Sequence, residues 1–348
     1  MSARVGAIIA VACMAGSARG DTVINFFGDV DYYVDHHGDT TNTFQAPDLD
    51  IFAMQTDGKF AFVGELLVEA FGQNTFDIDA DRLEVDYKPL AWLHFRAGRI
   101  RSAFGYYGDA YQNGKFFMLT ALWPEMYEGN GFDGIVPSHT VGLHADASRE
   151  LGNDVGRITL DAEVLNGRGP NLDTVTVYQD QGNHKGIDLR ARYVGEGALD
   201  GLIVGANMYI DRIESDLNVG EEHPAEAELI LGAHAVYMGD RAHVITEAAW
   251  FRDRDVVTQT LYETIAAFGE FGYGFGDYMP YLRFEYLHIG SPDPYFVASG
   301  FPTYDHEIVT AGAKYTATAS VAFKLQGSVT VQPTMNDYRA LAQAAFAF

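Results

Sequence analysis

The chain has 348 residues, with 48 Asp and Glu against 23 Lys and Arg. The resulting charge of −25 excludes a nucleic-acid partner, because phosphate binding needs a basic face. Apolar residues are 47% of the chain and charged residues only 20%, which excludes a disordered acidic tail, and 37 Gly, 20 Tyr and 23 Phe favour one large β architecture over two soluble domains.

Residues 1–20 read as a secretory signal: Arg4, an apolar run from Val5 to Ala15, then small residues at Gly16, Ser17, Ala18 and Gly20. Cleavage there removes two arginines and no acid, leaving 21–348 as a single domain that is more acidic than its precursor. Cys13 is the one cysteine, so a disulfide framework is excluded. An acylated Cys13 is disfavoured by Ala10, where lipoprotein signals carry Leu. No later segment reaches the ~18 apolar residues of a membrane-spanning helix, which excludes a helical transporter.

From Thr22 onward the pattern alternates with a period near two. Phe26, Gly28, Val30, Tyr32 and Val34 share one face, opposite Asp29, Asp31 and Asp35. Phe60 to Ala70 repeats this against Glu65 and Glu69, and Ile158 to Val164 against Asp161 and Glu163. Val321, Phe323, Leu325, Gly327, Val329 and Val331 stand opposite Lys324, Gln326, Ser328 and Thr330. Many segments run about ten residues, the length that crosses a bilayer at a tilt. The pattern predicts an all-β transmembrane antiparallel barrel of about sixteen strands, with fourteen to eighteen as the range. The spans are 23–35, 48–55, 59–71, 78–88, 91–99, 138–148, 156–166, 186–195, 200–213, 226–238, 241–252, 259–273, 277–290, 304–317, 319–332 and 338–348.

Connections alternate between short ones, such as Thr56 to Gly58, Lys88 to Leu90 and the Thr316 to Thr318 region, and long ones. The long ones are His36 to Ala46, Ile100 to Pro137, Asn166 to Lys185, Glu214 to Ala225 and Ser291 to Thr303. Transmembrane barrels have this asymmetry. Tyr33, Tyr87, Trp92, Tyr193, Tyr237, Trp250, Tyr278, Tyr286, Tyr315 and Tyr338 lie near strand ends, where interfacial aromatic girdles belong. In the last span Tyr338, Ala340, Ala342, Ala344, Phe346 and Phe348 share one face. An alternating strand ending on Phe348 resembles the signal read by the assembly machinery of bacterial outer-membrane barrels, which implies a Gram-negative outer membrane.

The connection 100–137 is rich in Phe, Tyr and Met, so it is expected to fold into the barrel and narrow it rather than extend into water. Gly98-Arg99, then Phe104-Gly105-Tyr106-Tyr107, Ala110-Tyr111 and Gly114, then Pro137, His139 and Gly142 resemble a branch of the phosphate-selective porin superfamily. That branch reads Gly-Arg-Phe, Gly-Tyr-Trp, Ala-Tyr-His-His-Gly and Pro-Val-His. Here Ile100 replaces the Phe, Tyr107 the Trp, Gln112-Asn113 the His pair and Ser138 the Val. The resemblance implies a porin. It does not carry over phosphate binding, since that selectivity rests on lysine-rich constrictions and this chain has six lysines.

With apolar faces toward lipid, the inward acids are Asp29, Asp31, Asp50, Glu65, Glu69, Glu84, Asp86, Asp161, Glu163, Asp188, Glu247 and Glu285. The inward bases are Arg96 with His94, Arg190, Arg192, Arg283, Lys314 and Lys324; the loop adds Asp109, Glu125, Glu128 and Asp133. Loop acids facing a basic wall would set a transverse field that filters solutes; alternatively the charges solvate the wall. The expectation is passive diffusion of small hydrophilic solutes with a cation bias and no cofactor. Tyr106, Tyr107, Tyr111, Phe116, Phe117 and Tyr127 fit packing better than a sugar-stacking path. Sixteen-stranded porins imply, by analogy, a homotrimer.

Other patterns carry less. Asp35-His36-His37-Gly38-Asp39 is a flexible polar loop rather than a metal site. Asp77, Asp79 and Asp81 open like a calcium loop, but Arg82 and Lys88 occupy its Gly and Glu positions, so they read as strand-edge acids. Gly272, Gly274 and Gly276 end a strand in a turn. The rival classes are a barrel lipase or protease and a transporter of hydrophobic compounds. Ser102, Ser138 and His139 offer no readable acid partner or nucleophile elbow, so no enzyme is expected. The first strand begins at the cleavage point, leaving no plug for the transporter.

Overall fold

The computed structural model describes residues 21–348 except 38, 47, 72–74, 112–113, 130–131, 153, 170–183, 216–223 and 299; residues 1–20, the expected signal, lie outside it. The strands are β1 (Thr22–His37), β2 (Asp39–Gln45 continued by Asp48–Asp57), β3 (Phe60–Phe71), β4 (Thr75–Leu90) and β5 (Leu93–Arg101). There follow β6 (His139–Glu150), β7 (Gly156–Leu165), β8 (Gly186–Gly195), β9 (Leu202–Ile213), β10 (Glu226–Met238) and β11 (Ala242–Asp255). The last are β12 (Leu261–Tyr273), β13 (Tyr278–Ile289), β14 (His306–Thr318), β15 (Val321–Val331) and β16 (Asn336–Ala347). Each pairs antiparallel with its sequence neighbours, and β1 closes on β16 from Phe27↔Ala347 to His36↔Tyr338. The result is a closed sixteen-stranded barrel with no free edge.

The wall inverts the burial of a soluble sheet. Leu325 is 65% exposed, while its neighbours Lys324 and Gln326 are 3% and 4% exposed. On β7, Ile158, Leu160 and Val164 face outward and Thr159, Asp161 and Glu163 are buried inside. Such a surface is stable against lipid, not water, and the lumen holds the charge. Trp92, Tyr237, Tyr278 and Tyr338 are exposed near strand ends, as a girdle requires. Tyr33 departs from that expectation: it points inward and donates to Asp31 at 3.0 Å. Phe26 N donates to Phe348 O at 2.7 Å and Phe348 N to Phe26 O at 2.8 Å, so the last residue takes part in closure.

Four connections differ from expectation. The turn expected at Lys88 to Leu90 lies instead at Ala91–Trp92, because β4 runs on to Leu90, which pairs with Leu93. The segment from His36 to Ala46 is not a long loop, because Asp39–Gln45 pairs back onto β1 from Asp31↔Gln45 to His37↔Asp39. Thr316 and Thr318 flank a bulge within β14, and the turn follows at 319–320. The seventh long-end connection, 290–305, does not stay outside: its helix α2 (Pro294–Ala298) buries Tyr295 and Phe296, with Phe296 edge-on to Phe251 of β11 at 5.8 Å. No described helix is long and apolar enough to cross a membrane.

Candidate functional site: a constricted lumen

Beyond Arg101 the chain turns into the lumen, forms the short helix α1 (Tyr107–Tyr111) and returns at His139. Its apolar residues explain the inward course. Ile100, Phe104, Tyr107, Met118, Ile135 and Val136 are all but completely buried. The Tyr107 ring meets Phe268 of β12 edge-on at 5.4 Å and Trp123 at 5.6 Å. These aromatics pack on one another and on the wall, and so do not line an open stacking path; Phe117 alone among the six is exposed. Gly105 is required where the loop turns: its φ is +76°, and a Cβ there would lie 2.0 Å from Tyr127 Oη and 2.1 Å from Glu247 Oε1.

The wall holds this loop mainly by its backbone. Glu247 of β11, buried, accepts from Tyr106 N at 3.0 Å, Tyr107 N at 3.2 Å and Tyr127 Oη at 2.5 Å. Glu163 accepts from Ala103 N at 3.1 Å, Asn207 donates to Ala103 O at 2.9 Å, and Arg190 donates to Gly105 O at 3.2 Å. Farther along, Arg283 donates to Leu122 O at 2.7 Å and Trp123 O at 3.0 Å. Lys324 donates to Thr120 O at 2.7 Å and to Lys115 O, and Lys314 to Met118 O at 3.2 Å. Inward bases of the sequence therefore serve as loop anchors.

The loop acids touch the wall instead of facing it across a gap. Asp109 meets Arg190 at 2.9 Å and Arg192 at 3.8 Å. Burial by itself would raise the Asp109 carboxyl, but Arg190, Arg96 and Arg192 outweigh it and hold it well below the usual carboxylate range. Glu125 N donates to Glu285 at 2.6 Å, and the Glu125 side chain meets His306 at 2.5 Å. Glu128 and Asp133 belong to a two-residue ribbon, Glu128–Gly129 against Phe132–Asp133, and their side chains lie outside the described residues.

Two cavities flank the loop. One, about 650 Å³, opens at the long-loop end among Tyr33, Asp35, Trp123, Glu125, Arg283, Glu285 and Arg339. The other, about 200 Å³, lies between the loop and β1–β5 and is lined by Asp29, Asp48, Asp50, Glu69, Asp79 and Asp81, with Lys115, Arg99 and His139. Lys115 reaches from the loop to Asp48 at 2.9 Å and Asp29 at 3.3 Å, and His139 meets Asp81 at 3.1 Å. Asp79 and Asp81 are thus lumen acids, not strand-edge ones.

Several lumen residues escape simple alternation. A bulge at Glu65/Leu66 turns both Asp81 and Arg82 inward, and Arg82 Nε lies 2.7 Å from Glu65 Oε2. At Gly98, φ is +129° and a Cβ would strike Leu83 O at 2.1 Å; past it, Arg99 borders the smaller cavity and Arg101 reaches Glu65 at 3.2 Å. Arg96 donates to His144 Nε2 at 2.8 Å. His144, Asp146 and Asp161 are close enough for a metal ion, but Arg96 faces the imidazole and Arg190 clamps Asp161 at 3.0 and 3.1 Å, so charge in that group is already matched. Ser102 Oγ donates to Asp188 at 3.1 Å, whereas His139 turns to Asp81, so the two are committed to different acids.

A closed sixteen-stranded wall, an outward apolar belt and an inward third loop together define the porin-type barrel. No family profile and no curated protein matches the chain. Solved structures share its fold. The anion-selective porin from Comamonas acidovorans aligns with a TM-score of 0.64 at 12% identity, over 94% of this chain and 100% of that one. OprB of Pseudomonas putida gives 0.62 at 10%, over 100% and 98%, and the trimer form of OmpT from Vibrio cholerae gives 0.59 at 10%, over 94% and 99%.

Proposed function

We propose that this chain is an outer-membrane porin through which small hydrophilic solutes and ions diffuse passively, with a preference for cations. The observation that supports it best is the smaller cavity beside the third loop, where six carboxylates meet Lys115, Arg99 and His139. Such a lining concentrates cations and repels anions at the point where the loop narrows the path. The basic groups are drawn off elsewhere, since Arg190, Arg283, Lys314 and Lys324 hold the loop. Residues 1–20 then serve as the export signal, the Phe346–Phe348 end as the assembly signal and the long loops as the outer face. The Gly98-to-His139 motif supports placement in the phosphate-selective superfamily. The trimer is carried over by analogy of fold.

The test is the reversal potential of refolded protein in a planar bilayer under a potassium chloride gradient. A cation-selective potential that moves toward neutrality in Asp29→Asn/Asp50→Asn supports the reading. An anion-selective potential in the wild type rejects the cation preference, and failure to conduct rejects the pore.

A further inference from the structure

The larger cavity, at the long-loop mouth, differs in chemistry from the acidic one beside Lys115. A continuous row of inward side chains borders it. Arg283 of β13 stands in register with Thr310 of β14, Thr310 with Ser328 of β15, Ser328 with Arg339 of β16, and Arg339 with Asp35 of β1. One step nearer the mouth, Ile308, Thr330 and Asp337 form a second row. The ions of both rows are already answered. Arg339 Nε lies 2.5 Å from Asp35, and Arg283 Nε lies 2.9 Å from Glu285, while its other nitrogens donate to the third loop. Glu285 also accepts from Glu125 N at 2.6 Å, Glu125 meets His306 at 2.5 Å, and Asp337 accepts from Gln332 Nε2 at 2.8 Å.

The neutral groups are in the opposite condition. The hydroxyls of Ser328 and Thr330 and the side-chain amide of Gln45 border the cavity without a hydrogen bond to any described residue. A hydroxyl both donates and accepts, and so does an amide, so this face matches a ligand that does the same. A charged solute has to disrupt an existing ion pair to find its counter-charge. A polyol only replaces water at groups that have no other partner. Trp123, half-buried on the third loop, borders the same cavity and adds apolar ring surface of the kind that packs on the C–H faces of a sugar ring. The volume, about 650 Å³, falls in the roughly 300–1,000 Å³ range of small-molecule sites.

We propose that this cavity is a saturable site for uncharged polyhydroxylated solutes of disaccharide size, held between the Ser328–Thr330 face of β15 and Trp123 of the third loop. The site rests on the pore reading above and gives that pore a solute class. Sucrose is the probe, in two measurements on refolded full-length protein. In planar bilayers it should interrupt the potassium chloride current saturably. Ser328→Ala/Thr330→Val should raise the half-blocking concentration about tenfold, while conductance and reversal potential without sugar keep their wild-type values. Thr159→Val, on the lumen face of β7, should leave the block unchanged. In an amine-oxide detergent, free of sugar headgroups, Trp92→Phe/Trp250→Phe leaves Trp123 as the one tryptophan. Its emission should change saturably with sucrose, at about tenfold higher concentration once the two β15 hydroxyls are removed. Heat-modifiable gel migration confirms that each variant is folded. Absence of a saturable emission change overturns the proposal whether or not the barrel conducts, and so does a response undiminished in the β15 variant or equally diminished in Thr159→Val. Glucosamine or gluconate acting at lower concentration than sucrose also overturns it, since that outcome assigns recognition to the charges. A barrel that fails to conduct yet shows the saturable, variant-sensitive emission change rejects the pore and supports the site.

Discussion

Replacing Glu247 with alanine tests how the lumen is narrowed. The carboxylate receives three donors, two of them main-chain N–H groups, in a site from which water is excluded. Each donor left without an acceptor costs about 1–3 kcal/mol. Three such losses, reduced by partial rearrangement of the loop, give roughly 3–6 kcal/mol against the inward position. The barrel ladder does not depend on Glu247, so the cost falls on the loop alone. Glu247→Ala should refold normally and show a higher, noisier single-channel conductance. Glu247→Gln keeps one acceptor but turns an NH₂ toward donors, and should lie between the two. A folded Glu247→Ala with the wild-type conductance and noise would refute the keystone role.

Gly105→Ala should disturb the same corner by about 1 kcal/mol for the left-handed backbone, plus the displacement of Tyr127 and Glu247; lower thermal stability with raised conductance is the outcome to measure. Arg190→Met leaves Asp161 and Asp109 without their buried partner, a loss of about 3–5 kcal/mol, and should shift the reversal potential further toward cations. Because Asp109 is held below its unfolded value, its contribution is fully present above about pH 3.9 and lost only as pH falls through the depressed folded value. The stability difference between wild type and Asp109→Asn should therefore stay constant from neutral pH down to about 4.5 in melting experiments. Leu160→Arg, on the outward face of β7, should cost about 2–4 kcal/mol in lipid, read as a lowered folding yield in vesicles.

The strand order was legible because lipid demands apolar side chains at every second position. The expected spans 156–166 and 319–332 fall close to Gly156–Leu165 and Val321–Val331. Where strand leaves lipid, the signal vanishes: Asp39–Gln45 reads Asp-Thr-Thr-Asn-Thr-Phe-Gln, polar on both faces, and so resembled a loop. Asp81, Arg82 and Arg101 were hidden differently, by a bulge and by Gly98, each of which resets the alternation that sequence reasoning extends. The inward course of the third loop followed from its apolar content. Its attachments did not, since the contact of Glu247 with Tyr106 joins residues far apart in the chain and leaves no local pattern.

Most of the third loop's attachments run from wall side chains to loop amides and carbonyls. Main-chain groups are common to almost every amino acid, so many loop positions can change identity without releasing the loop from its seat. Selectivity and seating thus become separable traits. On the proposed pore function, a new permeation preference can arise by exchanging side chains that border the path, while the shape that constricts it is held by the barrel wall.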